Sequence, residues 1–103
     1  MKTYYIVGGF MFKSVDINEL KKLIGKIDII DIRDPDEYND SHIPTSINIP
    51  NDKIMINPEY YLNKSKQYYI YCQYGKTSIK TCIYLNKVGY NVINLIGGYQ
   101  KYS

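Results

Sequence analysis

The 103-residue sequence has no tryptophan and no alanine, and it holds only one arginine, one histidine and two cysteines. Two cysteines fit a reducing compartment, where unpaired thiols serve chemistry or packing, and do not make a disulfide scaffold. Lys and Arg number 13 against 10 Asp and Glu, a net charge of +3, and the charges are scattered. Without a basic stripe, nucleic-acid binding has no electrostatic footprint. No apolar run approaches the ~20 residues of a membrane span. The opening Met1-Lys-Thr-Tyr-Tyr-Ile-Val-Gly-Gly-Phe-Met-Phe12 is apolar after one lysine, but it lacks an Ala-x-Ala-like cleavage site and a core-like pattern follows at once. A cytoplasmic protein with no membrane contact is therefore expected. Repeats and low-complexity segments are absent, and the length suits one domain.

What is present alternates between strand and helix signals. Phe12 to Val15 reads as a strand, and Asp16-Ile-Asn-Glu19 has the form of a capping box for a helix over 17–24, with Leu20, Leu23 and Ile24 on one face. Ile27-Asp-Ile-Ile-Asp-Ile32 is a β-branched run of the kind buried in a parallel sheet. A short helix over 36–39 and a brief strand over 47–49 follow. Asn51 is expected to cap a helical turn and Pro58 to begin another, with Tyr60, Tyr61 and Leu62 facing the core. Tyr68 to Tyr71 reads as a core strand, 77–88 as a helix closed by Gly89, and Val92 to Ile96 as a last strand. Residues 1–11 form an N-terminal extension, for which an edge strand is one reading, and 12–103 form the domain. This alternation implies an α/β fold with a mostly parallel sheet, whose ligands bind beyond the carboxyl ends of the strands.

Cys72 stands at such an end. The stretch Tyr68-Tyr-Ile-Tyr-Cys-Gln-Tyr-Gly-Lys-Thr-Ser78 reads as strand, tight loop, helix. A loop of this kind turns backbone N–H groups inward, and the helix N-terminus adds partial positive charge, so the place favours anions. Thiols at helix N-termini ionise more readily than free ones. Cys72 is then either an ionised nucleophile held by loop amides or a small buried apolar residue, and its own position leaves both open.

Four segments carry a resemblance: Asp28-Ile-Ile-Asp-Ile-Arg-Asp-Pro-Asp-Glu-Tyr38, Ser41-His-Ile-Pro-Thr-Ser-Ile-Asn-Ile-Pro50, Tyr71-Cys-Gln-Tyr-Gly-Lys-Thr-Ser78 and Leu95-Ile-Gly-Gly-Tyr99. In that order they resemble a single-domain rhodanese over roughly residues 12–103. The resemblance implies a three-layer rhodanese-like fold, a central sheet of about five strands with helices on both faces. It also implies sulfurtransferase chemistry. Cys72 would accept sulfane sulfur from thiosulfate, a polysulfide or a persulfide and pass it to cyanide or to a thiol, on a small molecule or a protein. Gln73, Tyr74, Gly75, Lys76 and Thr77 align with the loop around the outer sulfur. A thiolate, a leaving sulfite and loop amides need no metal and no organic cofactor. A monomer or weak homodimer of bacterial origin is expected.

The sequence departs from the family in the loop. Gln73 stands where thiosulfate-specific members carry Arg, Thr77 where many single-domain members carry another, and Thr45-Ser46 replaces the usual Gly-Ala. Lys76 is left as the fixed charge of the loop, which favours a protein persulfide or polysulfide as donor. Asp31 is expected to accept hydrogen bonds from loop amides or to be a simple strand-end acid. Arg33 and Glu37 are expected to form an ion pair, pinning the Asp31 loop or merely solvated. His42 is assigned a structural role ahead of a catalytic one, Tyr74 the pocket rim and Ser78 a place supporting the loop. Cys82 is expected to face the core on a stripe with Ile79, Ile83 and Val88. A cysteine phosphatase or arsenate reductase would need Arg at position 78 as an oxyanion clamp. A non-catalytic rhodanese module for partner binding or redox sensing is the remaining alternative.

Overall fold

The β-branched run and the tyrosine run pair with each other. β3 (Asp28–Asp31) and β5 (Gln67–Tyr71) are parallel neighbours, with Asp28 opposite Tyr68 and Asp31 opposite Tyr71. This computed structural model describes residues 2–7 and 10–103, with side chains at Tyr4 and from Phe12 onward; Met1, Gly8 and Gly9 of the N-terminal segment lie outside the described residues. β6 (Asn91–Ile96) flanks β5 on its other side, β2 (Phe10–Asp16) pairs with β6, and β4 (Ile47–Asn48) pairs with β3, all in parallel. β1 (Lys2–Val7) runs antiparallel along β2, so the sheet order is β1-β2-β6-β5-β3-β4. The expected mostly parallel α/β sheet is present, its five parallel strands extended by one antiparallel edge strand.

Strands that read as continuous apolar runs divide their side chains between two faces, because successive residues alternate. Ile30, Ile32, Tyr68, Ile70, Cys72 and Val92 meet Ile54, Leu62, Cys82 and Leu85 on one face. Ile29, Tyr69, Tyr71, Ile93 and Leu95 meet Ile17, Leu20 and Ile43 on the other. Each such buried aliphatic or aromatic side chain stabilises the fold by roughly 1.5–3 kcal/mol.

The helices are α1 (Pro35–Asp40), α2 (Asn51–Ile56), α3 (Pro58–Tyr61), α4 (Lys76–Lys87) and α5 (Gly98–Tyr102). The segment expected as a helix over 17–24 is a 3₁₀ helix, Ile17–Lys22, whose buried residues Ile17 and Leu20 lie three apart, the repeat of that tighter helix. Asp16 caps it by accepting from Asn18 N at 2.9 Å. Three further expectations are corrected. Asn51 is the first residue of α2 rather than its cap, and its side chain accepts from Thr81 Oγ1. Tyr60 is 76% exposed while Leu62 is buried. α4 turns Ser78, Thr81, Cys82 and Leu85 inward, leaving Ile79 and Val88 substantially exposed. The inward hydroxyls of Ser78 and Thr81 find side-chain amide acceptors in Asn94 and Asn51, so the helix face follows hydrogen bonding as well as apolarity.

β3 and β5 are parallel neighbours, and from their carboxyl ends the chain departs in opposite directions, from β3 outward to β4 and from β5 the other way to β6. Such a switch point leaves a crevice between diverging loops. Among the described residues no helix is long and apolar enough to cross a membrane.

Candidate active site

Tyr71 ends β5 with its ring fully buried, which delivers Cys72 to that crevice. Gly75, at φ 89°, swings the chain from strand into α4; a Cβ there would stand 3.1 Å from Gly97 N, so position 75 needs both the left-handed conformation and the missing side chain. The resulting loop closes around sulfur. Gly75 N donates to Cys72 Sγ at 3.1 Å and Ser78 N donates at 3.3 Å, while the thiol faces Ser78 Oγ at 3.4 Å. The N-terminus of α4 adds its partial positive charge. This cradle suits a sulfur anion.

Cys72 is 6% exposed and lines a cavity of about 210 Å³ together with Arg33, Asp34, Glu37, Asn51, Gln73 and Thr77. A second cavity, about 500 Å³, shares Arg33, Glu37 and Gln73 with the first and is bounded further by Asp40, Tyr74 and Tyr99. Tyr74, 67% exposed, stands at the rim. Behind the loop, α5 holds the strand end: Tyr99 N donates to Cys72 O at 2.8 Å and Gln100 N to Gln73 O at 3.0 Å. Gly98 permits that approach, since a Cβ on it would lie 2.6 Å from Gln73 O and 2.7 Å from Cys72 O.

The charges differ from those expected. Asp31 does not receive the amides of the Cys72 loop; both its oxygens are taken by Arg33, through Nε at 3.1 and 3.0 Å, Nη2 at 2.8 Å and the Arg33 backbone N–H at 2.8 Å. Arg33 thus pairs with Asp31 in place of Glu37, because a guanidinium that is 6% exposed needs a buried fork of acceptors. Its remaining donors reach Gln73 Oε1 at 3.0 Å and Ser41 O at 2.7 Å, and it sits 4.3 Å over the Tyr99 ring. Burial opposes the guanidinium charge, but the Asp31 hydrogen bonds and carboxylate outweigh it and hold Arg33 above its ordinary value. Lys76, expected as the charge of the loop, is exposed and lines neither cavity. The cation at the cavity is Arg33.

His42 is exposed and stacks on Tyr38, ring centroids 3.8 Å apart, with Nδ1 2.8 Å from Tyr38 O. Beside it, Tyr71 Oη accepts from Ile43 N at 3.2 Å, and burial followed by nearby Asp31 pushes that phenol far above its usual range. Cys82 is fully buried, and burial holds its thiol well up, in the protonated form. The sequence reading passed over two residues. Ser78 Oγ donates to Asn94 Oδ1 at 2.7 Å, and Asn94 Nδ2 donates to Ser14 Oγ at 3.3 Å, all three buried. The available signal was a lone amide inside the apolar strand Val92-Ile-Asn-Leu-Ile96. No group of three or more His, Cys, Asp or Glu able to hold a metal occurs among the described residues.

Known proteins place this geometry. A family model for the Rhodanese-like domain matches residues 16–103. The thiosulfate sulfurtransferase GlpE of Coxiella burnetii is 30% identical over 96 residues, covering 90% of this chain and 89% of that protein. The adenylyltransferase and sulfurtransferase uba4 of Ogataea parapolymorpha is 30% identical over 76 residues, which are 73% of this chain but only 20% of that longer protein. The crystal structure of a rhodanese-like domain protein from Staphylococcus aureus superposes with a TM-score of 0.79 at 30% identity, over 87% of this chain and 90% of the other. On its sequence match, its sheet and the loop that ends its central strand, the chain belongs to the rhodanese-like domain family.

Proposed function

We propose that the protein is a sulfurtransferase that carries sulfane sulfur as a persulfide on Cys72. The observation that carries this reading is the convergence of the Gly75 and Ser78 amides on Cys72 Sγ, which lines an open cavity. The thiolate attacks the outer sulfur of the donor. With thiosulfate the S–S bond breaks, sulfite leaves with the bonding electron pair, and the anionic persulfide is held by loop N–H groups. Cyanide or a thiolate then attacks the outer sulfur, releasing thiocyanate or a new persulfide and restoring Cys72.

The lining of the cavities bears on the donor. Arg33 is neutralised by Asp31, Asp34 and Glu37 line the Cys72 cavity, and Asp40 borders the larger one, which gives a dianion such as thiosulfate little attraction. Polysulfide or a protein persulfide is the better donor on that count. Position 78, where a phosphatase clamp would stand, is a buried serine.

The test is intact mass after mixing reduced protein with thiosulfate or polysulfide, then adding cyanide and assaying thiocyanate. Loading adds one sulfur, ~32 Da, and cyanide removes it, while Cys72→Ser takes up none. Failure to load from any donor with the fold intact overturns the reading in favour of a partner-binding module.

A further inference from the structure

Four polar or sulfur side chains, from β2, β6, α4 and the end of β5, form a line that stops at the nucleophile. Ser14, Asn94, Ser78 and Cys72 are 1%, 1%, 0% and 6% exposed. In the orientation present, the hydrogen bonds run away from sulfur: the Cys72 thiol gives to Ser78 Oγ, Ser78 gives to Asn94 Oδ1, and Asn94 Nδ2 gives to Ser14 Oγ. A serine hydroxyl has one proton. With that proton on Asn94, Ser78 Oγ offers sulfur a lone pair, which suits a thiol and opposes a thiolate.

Turning the Asn94 amide about its last bond exchanges two ends of nearly equal shape. Ser14 Oγ–H then gives to Oδ1, Nδ2–H gives to Ser78 Oγ, and the Ser78 proton is released toward Sγ. The Ser78–Asn94 and Asn94–Ser14 contacts stay made in both polarities, so reversal avoids the cost of an orphaned buried amide. We propose that Asn94 is a positioning residue whose side-chain amide turns when Cys72 ionises, reversing the Ser14–Asn94–Ser78 chain so that the Ser78 hydroxyl joins the Gly75 and Ser78 amides as a third donor to the thiolate. The Cys72 proton leaves through the cavity, and only hydrogen-bond direction passes along the chain. The proposal rests on Cys72 being the nucleophile, but its test requires no sulfur transfer.

The rate of Cys72 alkylation by neutral iodoacetamide is measured by intact mass across pH in the wild type, Ser78→Ala, Asn94→Asp and the double variant. A carboxylate at 94 only accepts, so it keeps the Ser78 proton. Each single variant is expected to react at least tenfold more slowly at neutral pH, with its pH–rate profile displaced upward. The double variant should be no slower than the slower single, because Asn94 acts through Ser78. An unmoved profile accompanied by a lower melting temperature would show that the chain only fastens α4 to the sheet, and additive slowing would show direct charge repulsion; either overturns the proposal. Should Asn94→Asp prevent folding, the wild type supplies the answer. The Asn94 side-chain ¹⁵N resonance should move as Cys72 ionises and stay still in Cys72→Ser, which retains Arg33, Asp34 and Glu37 around the cavity, Asp31 behind Arg33 and the buried Cys82. A resonance indifferent to Cys72 ionisation overturns the proposal.

Discussion

Thr45 holds φ at 69°, the left-handed region that a β-branched side chain tolerates poorly. Such a residue costs on the order of 1–3 kcal/mol. Thr45→Gly is therefore expected to raise the free energy of unfolding by about 1 kcal/mol, some of the relief being offset by the flexibility glycine adds to the unfolded chain, and denaturant titration would measure it. Arg33 argues in the opposite direction. Lysine at that position would keep the charge but lose the fork that fills both oxygens of Asp31 and reaches Gln73. Arg33→Lys should destabilise by roughly 2 kcal/mol or more, because it leaves a fully buried carboxylate half satisfied. A spacing of four suggested Glu37 as the partner of Arg33, yet α1 begins only at Pro35. Arg33 precedes the helix, so helical spacing does not apply to it, and the chain folds the side chain back onto Asp31.

At the scale of elements, α5 has one task visible from its first turn: it donates to the carbonyls of Cys72 and Gln73. Gly98→Ala would drive a Cβ against both oxygens, at a residue already at φ 67°. We expect a loss of stability on the order of 1–3 kcal/mol together with slower alkylation of Cys72 in the molecules that remain folded, read by mass spectrometry. The strand leading to Cys72 and the approximate limits of α4 were legible because their signals are local: a run of tyrosines, and glycines at 75 and 89 on either side of a helical stretch. The inward face of α4 was not. Counting apolar residues selects Ile79, Ile83 and Val88, whereas the buried face includes Ser78 and Thr81, whose partners Asn94 and Asn51 lie on other elements. Hydroxyls bound to distant amides leave no periodic trace in the sequence. The same holds for the docking of Gly98, which reads locally as a turn.

Across the whole molecule, the end of β2 is tied to α5 by Asp16 and Lys101, whose Oδ2 and Nζ are 2.6 Å apart. The Lys101 hydrogen bond, followed by the Asn18 amide, holds the Asp16 carboxyl below its ordinary 3.8. A carboxyl depressed in the folded state stabilises once ionised, so the contribution is fully present above about pH 3.8 and is lost as pH falls through the lower folded value. Asp16→Asn should lower the melting temperature at neutral pH, a small effect for an exposed pair worth under about 1 kcal/mol, and the gap to the wild type should close in acid. The tie between α5 and the Cys72 loop has a different consequence, one concerning time. The donors at Tyr99 and Gln100 are translated well after the carbonyls they hold. A nascent chain that has exposed Cys72 but not yet residues 98–100 carries the cysteine without these two donors, so the cradle around its sulfur is completed only once that later turn has emerged and docked.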